Sequence, residues 1–300
     1  LEQRDVTHVL VALPNDRTPA VLLQVIEAGK SVFSEKPGAR SAAEFEPVMA
    51  ALQRRPVPFA VAYLNRGTAQ IQQARELYRA GAIGRLMSVE LRMVTTQVGM
   101  RTPSSWLFRR DVVGGGILTW LGCHWLDAFR FVTGQEIVRV QAEMATLSGE
   151  AIDVEDTAVV AFRTSEGAIG SLHAGYLLAL GNPGYRAAGH DITLTLRGSA
   201  GLIQYTGGRQ ETPLVLESVA PGWRTASRRS YHFASTPSPG YGGLAGLEFF
   251  RAFLASRPGT PTPANAVDAL RVLEVLDAIY AAAVSGRTIE VDRRAVAEEV

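Results

Sequence analysis

The sequence predicts an α/β chain in which a short parallel sheet precedes a larger α+β region built on a largely antiparallel open sheet. Two patterns carry this reading. Up to residue 64, short apolar, β-branched runs alternate with helix-like stretches. From Leu86 onward the runs follow one another as consecutive strands. The scale agrees, because 300 residues, 47% of them hydrophobic and 20% charged, can bury a large core and divide into two domains.

The elements follow in order. Residues 6–13 form an apolar strand, 19–28 a helix stopped by Gly29, and 31–33 a second strand. Ser41 with Glu44 three residues on is a capping box that opens the next helix, and 59–64 is a third strand. This βαβαβ unit implies parallel strands. A first domain over 1–66 and a second over 67–300 are expected. In the second, strands are predicted at 86–96, 137–146, 157–162, 168–176, 192–196 and 202–205, with a closing helix at 265–285 and a final strand at 288–291.

Composition excludes several classes of function. Thirty basic against twenty-nine acidic residues leave a net charge of +1, with no electrostatic footprint for nucleic acid or an anionic membrane. A small-molecule partner is expected instead. The single cysteine, Cys123, rules out an intrachain disulfide and any CxxC metal site and suits a reducing compartment. No apolar run reaches the roughly 18 residues of a spanning helix, and no charged-then-apolar leader opens the sequence. A cytoplasmic protein without a resident metal is the expectation.

Glu35, Lys36 and Pro37 close the second strand at its C-terminal edge, where open α/β sheets bind ligands. A lysine there can donate to a substrate hydroxyl, or take its proton once burial lowers its pKa. A surface ion pair before a turn proline is the commoner meaning of such a tripeptide alone. Leu13-Pro14-Asn15-Asp16 follows the first strand and lies on the same edge, either as a plain turn or as a cofactor contact.

A dinucleotide-binding half of this type should begin with a strand, a Gly-rich turn and a helix whose N-terminus holds the pyrophosphate. None precedes Leu1, and two further βα units, about 60 residues, are expected upstream. The segment Gly240-Tyr241-Gly242-Gly243-Leu244-Ala245 fits GxGxxA, but a proline-broken loop leads into it. It reads as a loop and helix start.

The second chemical cluster runs from Gly114-Gly115-Gly116 through His124 to Asp127. At 3.6 residues per turn, Ile117, Leu118, Leu121, Trp125 and Val132 share an apolar face, and Gly116, Trp120, Cys123, His124 and Asp127 the opposite one. His124 and Asp127 become neighbours at i, i+3. A carboxylate beside an imidazole can fix its tautomer for proton transfer, although such pairs are also ordinary helix stabilisers.

Taken in order, the Pro-Asn turn, Ala28-Gly29-Lys30, Glu35-Lys36-Pro37, Gly81-Ala82-Ile83-Gly84, Trp106, the GGG helix with its HxxD, and Glu155-Asp156-Thr157-Ala158 resemble one family. The sequence is similar, over nearly its whole length, to the Gfo/Idh/MocA family of NAD(P)-dependent oxidoreductases, which act mainly on sugars, inositols and related polyols. The resemblance implies a partial Rossmann-type parallel sheet followed by an α+β domain with a largely antiparallel open sheet. It implies NAD or NADP as cofactor, a sugar-like substrate, and a homo-oligomer, dimer or tetramer. Lys36 and His124 match the family's catalytic lysine and histidine. Leu13, Pro14, Asn15, Glu35, Pro37, Asn65 and Trp106 fall at cofactor-side positions, and Trp120, Asp127 and Arg109 at substrate-side ones.

Two departures stand out. Many members carry an aspartate four residues before the histidine, where this chain has Trp120, and often a histidine where it has Thr18. Trp120 cannot transfer a proton, so a relay runs through Lys36 and His124, joined by Asp127 or water, and the indole could instead stack on a sugar or nicotinamide ring. Arg101, Arg109, Arg110 and Arg186 lie on two loops and suit either an acidic substrate or plain surface solvation. Two alternatives to a polyol dehydrogenase follow from the same resemblance: a non-catalytic cofactor or metabolite sensor, and an NAD-dependent glycosidase.

Overall fold

The computed structural model describes residues 2–179, 189–207, 212–234 and 242–294. Its first unit comprises β1 (His8–Val11), α1 (Thr18–Glu27), β2 (Ser31–Ser34), α2 (Ala42–Arg54) and β3 (Phe59–Val61). The three strands are parallel in the order β1-β2-β3, with Val9 opposite Val32 and Phe33 opposite Ala60. As the central strand, β2 is covered on both sides, which explains its unbroken Val32-Phe33-Ser34 burial rather than an alternating pattern.

Local chemistry sets the helix starts. The Ser41 hydroxyl accepts from the Glu44 backbone N–H at 3.3 Å, but the reciprocal half of the expected capping box is absent. The Glu44 carboxylate is held instead by the Arg40 backbone N–H at 3.1 Å and guanidinium at 2.9 Å. An arginine beside the cap offers the carboxylate a charge-assisted bond, which outcompetes a neutral N–H. At α1 no side chain caps the N-terminus. The buried Thr18 hydroxyl donates back to the carbonyls of Leu13 and Pro14, at 3.2 and 3.0 Å, and closes the turn.

The third strand ends at Val61, earlier than expected, because Leu64–Gly67 tightens into a 3-10 turn that turns Arg66 inward. After it come α3 (Ala69–Arg79), β4 (Leu86–Thr96), α4 (Arg110–Val113), α5 (Cys123–Thr133), β5 (Ile137–Ala145), β6 (Thr157–Thr164), β7 (Ile169–Leu178), β8 (His190–Gly198), β9 (Gly201–Thr206), β10 (Leu214–Ser218), β11 (Arg228–Tyr231), α6 (Gly243–Ala255), α7 (Ala266–Ser285) and β12 (Ile289–Glu290). The second sheet has nine strands in the order β11-β10-β9-β8-β4-β7-β6-β5-β12. Every neighbouring pair is antiparallel except β4 and β7.

One face of this sheet is covered and the other is not. Along β6, Ala158, Val160 and Phe162 are buried while Val159 between them is 52% exposed, the period-two pattern of a one-sided sheet. The last helices return to the first unit, so residue 66 is not a clean cut. Phe249, Phe250 and Phe253 of α6 ring Phe33 at centroid distances of 5.2–6.1 Å, edge-to-face contacts each worth about 0.5–1.5 kcal/mol beyond area burial. Asp277 of α7 accepts from the Ala42 backbone N–H at 2.9 Å. Among the described residues, no helix is long and apolar enough to cross a membrane.

Candidate active site

Parallel pairing brings the C-terminal ends of β1 and β2 to one edge, so the turns that follow them lie side by side. The first turn is tied to the second unit: the Asn15 side chain donates to the Val113 carbonyl at 2.9 Å, and the Asp16 backbone N–H to Val112 at 3.0 Å. Leu13, at the strand end, is 37% exposed and leaves an apolar surface beside the turn. From the second turn Lys36 enters a buried position, with Glu35 and Pro37 as its flanks.

The Lys36 ammonium donates to the Trp120 carbonyl and lies 3.8 Å from the centre of the same residue's indole. Burial lowers its pKa from the ordinary lysine value, with Cys123 and Glu35 opposing. Trp106 meets Trp120 edge-to-face at 6.3 Å and is 39% exposed, so two indoles form a corner over the ammonium. Next to this corner lies His124. Burial first, and the nearby Lys36 charge second, pull its pKa down to about 3, which makes the imidazole neutral at physiological pH.

The helix that carries Trp120 and His124 does not follow an ideal 3.6-residue register. Its first turn, Leu118–Gly122, is π-helical, with the Cys123 N–H reaching back to the Leu118 carbonyl. The extra residue in that turn rotates the rest of the helix about its axis. Ile117, Leu118, Trp125 and Val132 of the expected apolar face are buried, but the expected polar face is split. Cys123 and Asp127 are fully buried, whereas Trp120 and His124 are partly open. Burial pushes the Cys123 thiol up to about 11, so it is an inert thiol.

Asp127 is therefore not a substrate ligand or a partner of His124. Its carboxylate takes the Arg66 guanidinium in a two-pronged pair at 2.8 and 2.5 Å, away from solvent. Arg66 also reaches Asp268 at 2.8 Å, and Arg130 joins Asp268 to Glu136. Burial disfavours the Arg66 charge, but the carboxylates of Asp127 and Asp268 outweigh it and hold the guanidinium above its usual pKa. Arg109 is likewise not turned to the cluster. It pairs at the surface with Asp111 at 2.7 Å. Asn65 spends its backbone carbonyl on the Thr68 hydroxyl at 2.8 Å, and no hydrogen bond or ring contact joins it to Lys36, Trp120 or His124 among the described residues. Arg101 is buried against the Tyr176 ring and the Thr95 hydroxyl, and Arg186 lies outside the described residues.

The start of the helix is held from below by Glu155. Its buried carboxylate accepts from the Gly116 and Leu118 backbone N–H groups at 2.8 and 3.1 Å and from the Tyr280 hydroxyl at 2.9 Å. Burial raises its pKa, and these bonds oppose the rise. The glycines are required by close approach: a Cβ on Gly115 would overlap the Tyr280 hydroxyl, and one on Gly116 the Glu155 carbonyl. Sequence reasoning marked Glu155 only as part of a family pattern and missed Arg66, Tyr63 and Tyr280. The partners lie 37 to 202 residues apart in the chain, and no local period links them.

The residues present fit the nicotinamide end of a dinucleotide. An exposed apolar side chain, Leu13, borders an edge where a buried cation and a neutral imidazole converge, and the imidazole Nδ1 has no partner among the described residues. Neither βα turn of the three-stranded sheet carries a Gly-rich phosphate motif, so the assignment concerns that end alone.

Fold and cluster together define an oxidoreductase of the nicotinamide-dependent class. Residues 1–63 match the oxidoreductase family with an NAD-binding Rossmann fold, and residues 71–204 match the GFO/IDH/MocA C-terminal domain. The chain belongs to the GFO/IDH/MocA family. Levoglucosan dehydrogenase of Pseudarthrobacter phenanthrenivorans is 26% identical over 97% of this chain and 81% of its own length. Myo-inositol 2-dehydrogenase of Thermotoga maritima is 26% identical over 72% of this chain and 61% of its own. Among solved structures, GenD2 from gentamicin A biosynthesis in complex with NAD superposes with a TM-score of 0.77 at 26% identity, covering 97% of this chain and 80% of that one. A levoglucosan dehydrogenase complex with NADH gives 0.84 at 24%, covering 98% and 82%, a likeness of fold.

Proposed function

We propose that the protein transfers hydrogen between NAD and a CH–OH group of a sugar, inositol or related polyol. The observation that carries this reading is the convergence of Lys36 and His124, close enough for the lysine charge to depress the histidine pKa, at the ligand-binding edge of a parallel sheet. The names of the related levoglucosan, myo-inositol and anhydrofructose enzymes support the same substrate class.

Bound NAD supplies the two-electron acceptor for the hydrogen leaving the carbinol carbon. The protein's share is to manage the hydroxyl proton. Lys36, its pKa lowered by burial, takes the proton as its neutral amine, while the His124 N–H steadies the same oxygen. Trp120 and Trp106 offer flat apolar faces to the C–H side of a sugar ring. The protein works in the cytoplasm as a homo-oligomer in this reading, which the single buried thiol and the uncovered sheet face bearing Val159 and Ile169 support.

Following the near-ultraviolet absorbance of reduced nicotinamide with NAD or NADP and a panel of polyols tests it. Turnover of levoglucosan or myo-inositol is the expected result. Cofactor binding without turnover of any polyol would favour a sensor, the reading that Trp120 in place of an acid encourages. Release of free sugar without net NADH would mark glycoside cleavage.

A further inference from the structure

Two polar atoms beside the cluster are enclosed without a partner among the described residues: the Tyr63 hydroxyl and Nδ1 of His124. They belong to neighbouring rings, 5.9 Å between centroids and nearly perpendicular at 84°. Tyr63 is fully buried just beyond β3. Native proteins rarely leave one such group unsatisfied, and two on neighbouring rings point to one partner shared between them.

We propose that Tyr63 is a positioning residue whose hydroxyl donates to His124 Nδ1 through one enclosed water, and so fixes the tautomer with the proton on Nε2. The other groups facing His124 do not set its tautomer. Lys36, from the turn after β2, presents an ammonium, and Cys123, beside it on the helix, presents a thiol that burial keeps protonated. Asp127, one turn on, is committed to Arg66. Burial holds the Tyr63 phenol well above its ordinary pKa, so it is a permanent donor. A neutral imidazole that accepts at Nδ1 carries its hydrogen on Nε2.

The consequence divides the labour at the site. His124 acts as a neutral N–H donor to the substrate oxygen, and taking the proton from the alcohol falls to Lys36. This division rests on the oxidoreductase reading above, whereas the tautomer does not.

Nitrogen NMR of the full chain labelled with ¹⁵N-histidine tests it, with the His124 signals assigned by their loss in His124→Gln. The expected spectrum is a neutral ring, bare at Nδ1 and protonated at Nε2, across about pH 5 to 8. Tyr63→Phe, which removes one atom, is expected to average the two nitrogen shifts. Replacement of tyrosine by 3-fluorotyrosine strengthens the donor without changing shape, and is expected to move the Nδ1 signal. A proton found on Nδ1, or shifts that ignore both changes, would overturn the proposal. In turnover, Tyr63→Phe is expected to lower kcat about tenfold with KM almost unchanged. If no polyol is oxidised yet the tautomer is as stated, the functional reading fails and this one stands; if polyols are oxidised and the tautomer is the opposite one, the functional reading stands and this one fails.

Discussion

Lys36 is held twice by Trp120, through a hydrogen bond to its carbonyl and through the face of its indole 3.8 Å away. The carboxylate that the family resemblance leads one to expect at this position would favour the charged ammonium strongly. An indole supplies only the weaker attraction of its ring quadrupole, about 0.5–2 kcal/mol, and excludes water as it does so. The exchange lets burial dominate, and the lysine pKa falls.

Restoring the acid should therefore reverse that shift. Trp120→Asp places a carboxylate beside the ammonium and raises the Lys36 pKa, so the alkaline rise in oxidation rate moves to higher pH. A rate profile that stays in place, measured as kcat/KM against pH, would contradict the assignment of Lys36 as the base.

Lys36→Met removes the amine while keeping an unbranched side chain of similar length. Loss of kcat by about 10²–10⁴-fold is expected, the range for removing a general base, with the thermal midpoint little changed. Near-normal turnover in the NADH absorbance assay would sink the mechanism.

His124 links the site to acid stability. Its folded pKa, about 3, lies below the ordinary value of 6.5. Between those values the unfolded chain binds a proton that the folded chain does not, so stability is intact above about pH 6.5 and falls as pH drops toward 3. The slope is at most about 1.4 kcal/mol per pH unit. Urea midpoints measured across this window should show the decline, and His124→Asn should flatten it.

Asp127→Ala leaves the Arg66 guanidinium buried beside an empty space. The expected loss is about 3–5 kcal/mol of stability, read as a lower urea midpoint. Because the carboxylate is fully buried and engaged by Arg66, KM of the folded fraction should hold steady. A selective rise in KM with unchanged stability would return Asp127 to the substrate.

Gly115→Ala drives a methyl group into the Tyr280 hydroxyl and so displaces the hydrogen bond between Tyr280 and Glu155. Overpacking of this kind costs about 1–3 kcal/mol. The helix bearing His124 should shift as well, so circular dichroism melting and kcat are both expected to fall. A variant as stable and active as the parent would show that the glycine cradle is dispensable.

Much of the fold was legible because it is written in local periods. Strand Leu86–Thr96 begins and ends where the apolar run does, and the closing helix starts at Asn265 because its capping box with Asp268 is a three-residue signal. Strands β10 and β11 went unread, since they are short, β11 alternates exposed and partly buried residues, and their pairing partners lie across loops. At the site, Lys36 and His124 stood out by residue type and order. Asp127 and Arg109 did not keep their expected places, because a π turn and a surface ion pair are settled by contacts that no helical wheel contains.

The sequence by itself determined the alternation of elements and the two-sheet architecture, which follow from hydrophobic period and residue chemistry, while Lys36 and His124 were singled out by the ordered family resemblance rather than by their local patterns. Only the tertiary structure decided which partner each polar group takes. Arg66 and Asp127, 61 residues apart, and Tyr280 and Glu155, 125 apart, meet because a buried charge or hydroxyl must find its complement wherever the packed core brings one.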